Sequence, residues 1–322
     1  MSNSTVFPVV LLTALPASGK SEVRNFLAHM PQDRLEREFH FGDTLQLDDF
    51  PYVYFMRLID GALERRGLPR VYYPGEEPFI DGRDWGTLVN LLNEDYHDLM
   101  GRVTVQPASA ARYLMERMER ASAGVGIPAR LGLLPADVLD AVADELEGEA
   151  RAMLDAKHAA YPDSFEGKTV IIEMARGGPD GSAMPLTGTF GYQYTLPVFC
   201  PEILEKAVML YIKVTPEESR RKNSDRADPD DPGSNLHHGV PMAVMLGDYG
   251  CDDMDWLLEN ARVPGTVTVQ AHGRVYDLPT GVFDNRVDRT SFLREDESRW
   301  PADKVKLVTE GIRGATDTMW KE

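Results

Sequence analysis

Eight consecutive residues near the start of the chain have the types and spacing of a phosphate-binding loop. Residues 14–21 read Ala-Leu-Pro-Ala-Ser-Gly-Lys-Ser and follow an apolar run. The pattern of such loops is G-x-x-x-x-G-K-[ST] between a buried strand and a helix. Gly19, Lys20 and Ser21 match it, and Ala14 stands at the first glycine. Backbone N–H groups in this loop surround an anion, and the following helix adds its positive end. The pattern predicts a nucleoside triphosphate site.

The individual loop residues have distinct expected roles. Lys20 reaches the β- and γ-phosphates, and the Ser21 hydroxyl binds Mg²⁺. A Cβ at Ala14 is tolerated only if the backbone there keeps a negative φ. An ordinary strand–turn–helix with a chance Gly-Lys-Ser is the alternative. The predicted nucleotide-binding residues of the loop are Ala14, Pro16, Ala17, Ser18, Gly19, Lys20, Ser21 and Glu22.

A second acidic group is expected beside such a loop, at the end of a neighbouring buried strand. Glu173 ends the run Thr-Val-Ile-Ile-Glu and is the predicted Mg²⁺-linked residue, directly or through water. The alternative is a lone acid at a strand terminus. Arg176 and two glycines follow, a composition suited to contact with phosphate.

A carboxylate on the acceptor side is sought in residues 42–49, after a weak strand candidate at Glu38–Phe41. A carboxylate placed after a strand can accept the proton of an attacking hydroxyl. Asp43 is the first choice and Asp49 the second. For Asp48 and Asp49, capping of the next helix is the favoured alternative.

A basic helix is predicted after the strand that ends at Val214. Thr215 and Pro216 suit its first turn, and cations follow within a few residues. Arginines can neutralise a transferring phosphoryl group, so residues 216–255 are interpreted as a lid-like segment; a solvated helix face is the alternative. The cations assigned to catalysis here are Arg220, Arg221 and Arg226. His237 and His238 are adjacent and do not by themselves indicate a metal site.

Alternating strands and helices predict a mainly parallel sheet covered on both faces. Strands are predicted at Phe7–Leu12, Thr169–Met174, Ala207–Val214 and Gly281–Phe283, besides the weak candidate. Residues 1–67 and 165–322 are assigned to this core, and 68–164 to a helical insertion over the substrate side. A hairpin at Thr266–Asp277 and a closing helix at Pro301–Trp320 complete the prediction.

Composition narrows the possible partners. The chain has 322 residues, 43% hydrophobic and 27% charged, and a net charge of −18. That charge argues against non-specific binding to nucleic acid or to anionic membranes. Cys200 and Cys251 lie far apart without nearby ligand patterns, which is typical of a reducing cytoplasm. No segment reads as a membrane span. We therefore expect a cytoplasmic protein; its oligomeric state is left open.

The order of these parts resembles the P-loop NTPase superfamily, in particular adenylate-kinase-like kinases of nucleosides and nucleotides. Leu-Pro-Ala-Ser-Gly-Lys-Ser is similar to the Leu-Pro-Gly-Ser-Gly-Lys-Ser loops common there. The resemblance covers residues 6–66 and 165–290. It implies a three-layer α/β/α fold with a mainly parallel five-stranded sheet, a helical insertion and an arginine-rich lid.

The resemblance also implies a chemistry. Lys20, Gly19 and Ser21 would hold ATP and Mg²⁺, Asp43 would approach the acceptor, and Asn285 would lie near the base. The predicted catalytic residues are Lys20, Asp43, Arg176, Arg220, Arg221 and Arg226. The expected activity is ATP-dependent transfer to a small hydroxyl- or phosphate-bearing acceptor such as a nucleoside or nucleotide.

Two alternatives remain open. One is a P-loop kinase acting on a nucleic-acid end, a modified base or a sugar nucleotide. The other is a nucleotide-binding module that transfers no phosphate. The base-reading pattern Asn-Lys-x-Asp is absent from the chain, which argues against a GTP switch.

Overall fold

A six-stranded, mostly parallel sheet forms the centre of this α/β protein. The computed structural model describes residues 5–226 and 239–320. The strands are β1 (Val9–Ala14), β2 (Asp43–Asp48), β3 (Lys168–Ala175), β4 (Ala207–Lys213), β5 (Thr266–Ala271) and β6 (Arg274–Asp284). Their order is β2-β3-β1-β4-β6-β5. β1 pairs in parallel with β3 and β4, and β4 pairs in parallel with β6.

Helices connect the strands. They are α1 (Lys20–Ala28), α2 (Gln32–Phe39), α3 (Phe50–Arg65), α4 (Asp84–Gly101), α5 (Ala110–Gly124), α6 (Ala136–Ala159), α7 (Gly191–Thr195), α8 (Pro201–Leu204), α9 (Pro216–Arg226), α10 (Met242–Gly247), α11 (Met254–Glu259) and α12 (Ala302–Met319). Short 3₁₀ turns occupy Leu131–Leu133, Leu196–Val198, Ser291–Arg294 and Glu297–Arg299. None of the helices in the described ranges has the length and apolar character needed to cross a bilayer.

The chain divides into two compact units. The first comprises Met1–Leu47 with Phe165–Glu322 and contains the sheet apart from the end of β2. The second, Asp48–Ser164, is helical and comprises α3 to α6. The insertion is predicted to start at residue 68. In the structure the helical unit begins at Asp48 and therefore includes α3.

One long strand replaces two separately predicted elements. The predicted hairpin is confirmed by the antiparallel pairing of β5 with β6, which turns between Ala271 and Arg274. β6 then continues to Asp284 and pairs with β4 in parallel through its second half. The hairpin thus adds a sixth strand to the sheet, where five were expected.

The strand prediction at Glu38–Phe41 is wrong. α2 runs to Phe39, with Leu35 and Phe39 buried and Arg34 ion-paired to Glu38 one turn away. His40 ends the helix in a left-handed conformation, φ 58°. Apolar spacing along this face favours helix over strand, and the strand β2 begins only at Asp43.

α1 packs its apolar face against the sheet. Val23, Phe26 and Leu27 are buried in one cluster with Val10 and Leu12 of β1. This packing holds the start of α1 at the carboxyl end of β1. The sheet core of the first unit therefore positions the loop between the two elements.

An ionic network is buried in the helical unit around Arg117. The Arg117 guanidinium is 1% exposed and lies 2.5 Å from Glu94, 2.9 Å from Asp95 and 3.3 Å from Asp98. Tyr52 donates its hydroxyl to Asp95 at 2.8 Å. Buried carboxylates remain ionised only when they are paired and hydrogen-bonded, so this arginine ties α5 to α3 and α4.

We predict that Arg117→Met lowers the free energy of unfolding by about 3–5 kcal/mol, because it removes a buried guanidinium from a cluster of carboxylates. Asp95 and Asp98 keep their ion pairs with Lys157 in this variant. Urea unfolding of the full chain measures the loss. Arg112→Met is the matched control on the same helix, since Arg112 pairs with the exposed Asp140 and surface pairs contribute about 1 kcal/mol or less. Equal losses in the two variants would contradict the buried network.

Candidate nucleotide-binding site

The loop between β1 and α1 contains two residues in the left-handed conformation. Ala14 is the last residue of β1, pairs with Ala175 of β3 and is not among the described residues with positive φ. The expectation that a Cβ is tolerated there is therefore confirmed. The left-handed positions are Ala17, with φ 53°, and Gly19, with φ 106°. The strained position filled by alanine is thus residue 17, not residue 14.

The carbonyl oxygens of the loop are bound by side chains, three of which come from distant segments. Tyr192 of α7 donates its hydroxyl to the Ala14 carbonyl at 3.0 Å, and it accepts the Ala14 N–H at 2.8 Å. Ser219 of α9 donates to the Pro16 carbonyl at 2.7 Å. The Leu15 carbonyl is bound locally: it accepts a hydrogen bond from the Lys20 ammonium at the start of α1, at 3.2 Å.

Asn285 provides the remaining contact, at the centre of the loop. Its side-chain amide donates to the Ser18 carbonyl at 2.7 Å and to the Thr290 hydroxyl at 2.9 Å. Its carbonyl oxygen accepts the Arg289 N–H at 2.7 Å. Asn285 is 0% exposed, so both ends of its side chain are used inside the protein. The Asn285 side chain therefore braces the loop; that Asn285 lies near a base stays a prediction.

The N–H groups of the same loop have a different environment. Those of Ala17, Ser18, Gly19, Ser21 and Glu22 make no hydrogen bond to any residue within the described ranges. Residues 17–19 are buried, and the buried Ser18 hydroxyl likewise has no partner there. Buried backbone donors are normally paired. Consecutive N–H groups left unpaired beside left-handed residues are typical of an anion-binding nest.

Arg176 follows β3 directly and is level with the loop. It is 1% exposed, and its guanidinium donates to the Ala175 carbonyl at 2.6 Å. Burial raises the pKa of Tyr192, and the nearby charge of Arg176 acts in the opposite direction. Because the Tyr192 hydroxyl contacts Ala14, Arg176 lies in the immediate neighbourhood of the loop, as the sequence analysis expects.

Glu173 and Ser21 lie on adjoining elements. Glu173 is level with Leu12 of β1, before the end of β3, and its carboxylate is ion-paired with Arg24 of α1. Arg24 follows Ser21 by one helical turn, so both face the same side of α1. The Ser21 hydroxyl forms no hydrogen bond to a residue that the structure describes. Ser21 is thus available to a metal ion, whereas Glu173 would act through water.

The Glu22 side chain points away from this arrangement. Its carboxylate lies 2.6 Å from the Arg294 guanidinium. This ion pair joins α1 to the segment after β6 and neutralises an acid near the positive end of the helix. Glu22 contributes its backbone N–H to the loop surface, and its side chain is structural.

Asp43 is the clearest correction among the expected catalytic residues. It is the first residue of β2, donates its N–H to Gly167 at 3.1 Å and is ion-paired with Lys168. Lys168 begins β3, whereas Ala175, beside the loop, ends it. The length of β3 separates the two places by about 20 Å at about 3.3 Å per residue. Asp43 therefore lies at the amino ends of the strands, and the loop lies at their carboxyl ends.

The second choice, Asp49, belongs to the helical unit. It is buried, and its carbonyl accepts the N–H groups of Tyr52 and Val53 at the start of α3. Asp48 accepts the Phe50 N–H at 2.8 Å. These contacts are those of a helix start, the alternative favoured for this pair. A catalytic role for Asp49 stays a prediction.

The cations of α9 differ in their surroundings. Arg220 is partly buried and lies 3.4 Å from both Asp180 and Glu217. Arg221 is half exposed and pairs with Glu218 and Asp225 on its own helix. The side chain of Arg226 and residues 227–238, including His237 and His238, lie outside the described residues.

Lys222 is a site residue that sequence reasoning missed. It is 1% exposed and lies 2.7 Å from Asp288, in the segment that also carries Asn285 and Thr290. Burial opposes ionisation of Asp288, but the hydrogen bonds of Lys222 and Ser291 hold the pKa of this carboxyl well below its usual range. Lys222 therefore links α9 to the segment that braces the loop. The sequence shows Lys222 only as one of several neighbouring cations. That pattern does not indicate which of them is buried.

No family model, curated protein or solved structure matches this chain. The functional conclusion therefore depends on the geometry of the site.

We predict that Gly19→Ala destabilises the protein more than Gly188→Ala does. A Cβ at residue 19 would lie 2.5 Å from the Thr290 hydroxyl, whereas one at Gly188 would meet nothing within 4 Å. Both glycines have positive φ, so both variants bear backbone strain of about 1–2 kcal/mol. Overpacking adds about 1–3 kcal/mol at residue 19 alone. Urea unfolding measures both, and equal losses would contradict the packing of Thr290 on the loop.

Proposed function

We propose that this protein binds a nucleoside triphosphate, ATP in the first instance, at residues 14–21 and transfers its γ-phosphoryl group to an acceptor. One observation carries the proposal: the loop carbonyls are bound by protein side chains, while consecutive N–H groups face no protein partner in the described ranges. Such an arrangement favours an anion with several oxygens. The P-loop pattern supports a polyphosphate in particular.

The charged residues near the loop support phosphoryl transfer. Lys20 begins α1 and is mostly buried, which strengthens its interaction with a phosphate oxygen. Arg176 and Arg220 would neutralise charge that develops on the transferred group. Mg²⁺ bound with Ser21 would bridge phosphate oxygens and neutralise their charge.

A small acceptor agrees best with the charge of the chain. The net charge of −18 disfavours a long polyanion as the acceptor. A hydroxyl- or phosphate-bearing metabolite, such as a nucleoside or nucleotide, requires only local complementarity. This class of acceptor is part of the proposal.

Lys20→Ala should weaken binding of ATP in the presence of Mg²⁺ by about 10- to 100-fold. Its ammonium makes a charge-assisted hydrogen bond worth about 1.5–3 kcal/mol. Isothermal titration calorimetry on the full chain measures the dissociation constants. Lys206→Ala is the control, because Lys206 is exposed just before β4 begins, at the amino edge of the sheet.

Transfer is tested separately from binding. Radiolabel from [γ-³²P]ATP should appear on a member of a nucleoside, nucleotide and sugar panel, and Lys20→Ala should abolish it. Binding without transfer to any acceptor or to water would favour the nucleotide-binding module. Equal ATP affinity in wild type and Lys20→Ala would contradict the site itself.

A further inference from the structure

Asp252 has no role in the proposed function so far, and it lies near the carboxyl ends of the strands, as the loop does. Tyr211 is level with Thr13 of β1 and lies two residues before the end of β4. Its hydroxyl donates to Asp252, with distances of 3.0 and 3.2 Å to the two carboxylate oxygens. Asp252 keeps partial exposure to solvent. Asp252 therefore lies near the carboxyl ends of the strands, whereas Asp43 lies at the amino end of its strand.

Backbone pairing holds Asp252 close to the segment that follows β3. Gly178 donates its N–H to the Cys251 carbonyl at 2.9 Å and accepts the Cys251 N–H at 3.2 Å. A Cβ on Gly177 would lie 2.3 Å from the Cys251 carbonyl. Only glycine permits this approach, which brings the segment of Asp252 against the residues that follow Arg176.

Tyr192 connects the segment of Asp252 to the loop. Its backbone is fixed by Asp253, which accepts the N–H groups of Tyr192 and Gln193 at 2.8 Å each. Burial and the charge of Asp252 raise the pKa of Tyr192, while the charge of Arg176 lowers it. Both charges therefore act on the hydroxyl that contacts Ala14. Asp252 and Arg176 are thus both close enough to Tyr192 to affect its ionisation.

The electrostatic surroundings of Asp252 suit proton transfer near neutral pH. Burial raises its pKa to about 7, although the Met254 N–H and the Tyr211 hydroxyl stabilise its ionised form. A base that titrates near the working pH is the most effective. The titratable groups that interact with it in the described part of the chain include Tyr192, Tyr211, Cys251, Asp253 and Asp255, and Arg176 interacts in turn with Tyr192.

We propose that Asp252 accepts the proton of the acceptor hydroxyl during phosphoryl transfer, an inference that rests on the proposed function. The hydroxyl oxygen forms a bond to the γ-phosphorus, and the bond between that phosphorus and the bridging oxygen breaks. The electron pair leaves with ADP, and the hydroxyl proton moves to the Asp252 carboxylate. Tyr211 is a positioning residue, because it acts by holding that carboxylate.

The test uses water as the hydroxyl donor and [γ-³²P]ATP with Mg²⁺ as the probe on the full chain. Phosphate release by wild type should rise with pH through about 7, since the ionised form of Asp252 predominates above its pKa. Asp252→Asn should lower the rate by about 100-fold or more and remove this rise. Its ATP dissociation constant should stay within about twofold of wild type. Asparagine still accepts the Met254 N–H, so α11 keeps its start.

Tyr211→Phe gives a second readout that does not depend on removing the carboxylate. The Tyr211 hydroxyl lowers the pKa of Asp252, so its loss should move the rise in rate to higher pH. Asp255→Asn is the matched control, because Asp255 is exposed and paired with Lys213. It should keep the rate, with the rise at or slightly below its wild-type position.

The outcomes separate the two proposals. A wild-type rate and pH profile in Asp252→Asn would overturn this assignment while leaving the proposed function intact. Loss of that rate in Asp49→Asn instead would assign the proton acceptor to Asp49. Wild-type protein that binds ATP but releases no phosphate would contradict transfer itself, and a chain that does not bind ATP would contradict the nucleotide site.

Discussion

The candidate site depends on how the backbone polar groups of one loop are paired. Tyr192, Ser219 and Asn285 come from three separate segments and each binds a carbonyl of the loop. A loop whose carbonyls are bound on one side must present its N–H groups elsewhere. Those N–H groups then require a partner that can accept several hydrogen bonds at once. The proposed affinity for an anion would therefore be a consequence of packing by elements distant in sequence.

Ion pairs limit the positive charge around this loop. Arg24 pairs with Glu173, Arg294 with Glu22, and Lys222 with Asp288. Each of these cations is offset by an acid and serves first to join two elements. In the proposed site, attraction for phosphate would come mainly from backbone N–H groups, Lys20 and Arg176. Such a site would select an anion by shape and hydrogen bonding, which suits a chain with a net charge of −18.

The position of a carboxylate along a strand decides its possible role. Ligands of parallel sheets bind beyond the carboxyl ends of the strands. Asp43 begins its strand, and the prediction of a strand at Glu38–Phe41 had placed it after one. Because that one element was predicted wrongly, Asp43 was expected at the wrong end of its strand. Asp252, in contrast, lies two residues before α11, which begins at Met254. Its proximity to Tyr211 could not be read from residues so far apart in the chain.

The sequence by itself determined the local features: the apolar strand β1, the loop pattern of residues 14–21, the amphipathic α1 and the turn between β5 and β6. These follow from residue type and short-range periodicity, which act within one element. Only the tertiary structure decided that β6 joins two predicted elements, that Lys222 is buried and that Asn285 braces the loop. It also brought Asp252 to the edge of the sheet where the loop lies. Pairings between distant segments are selected by packing of the whole core, and no local pattern encodes them.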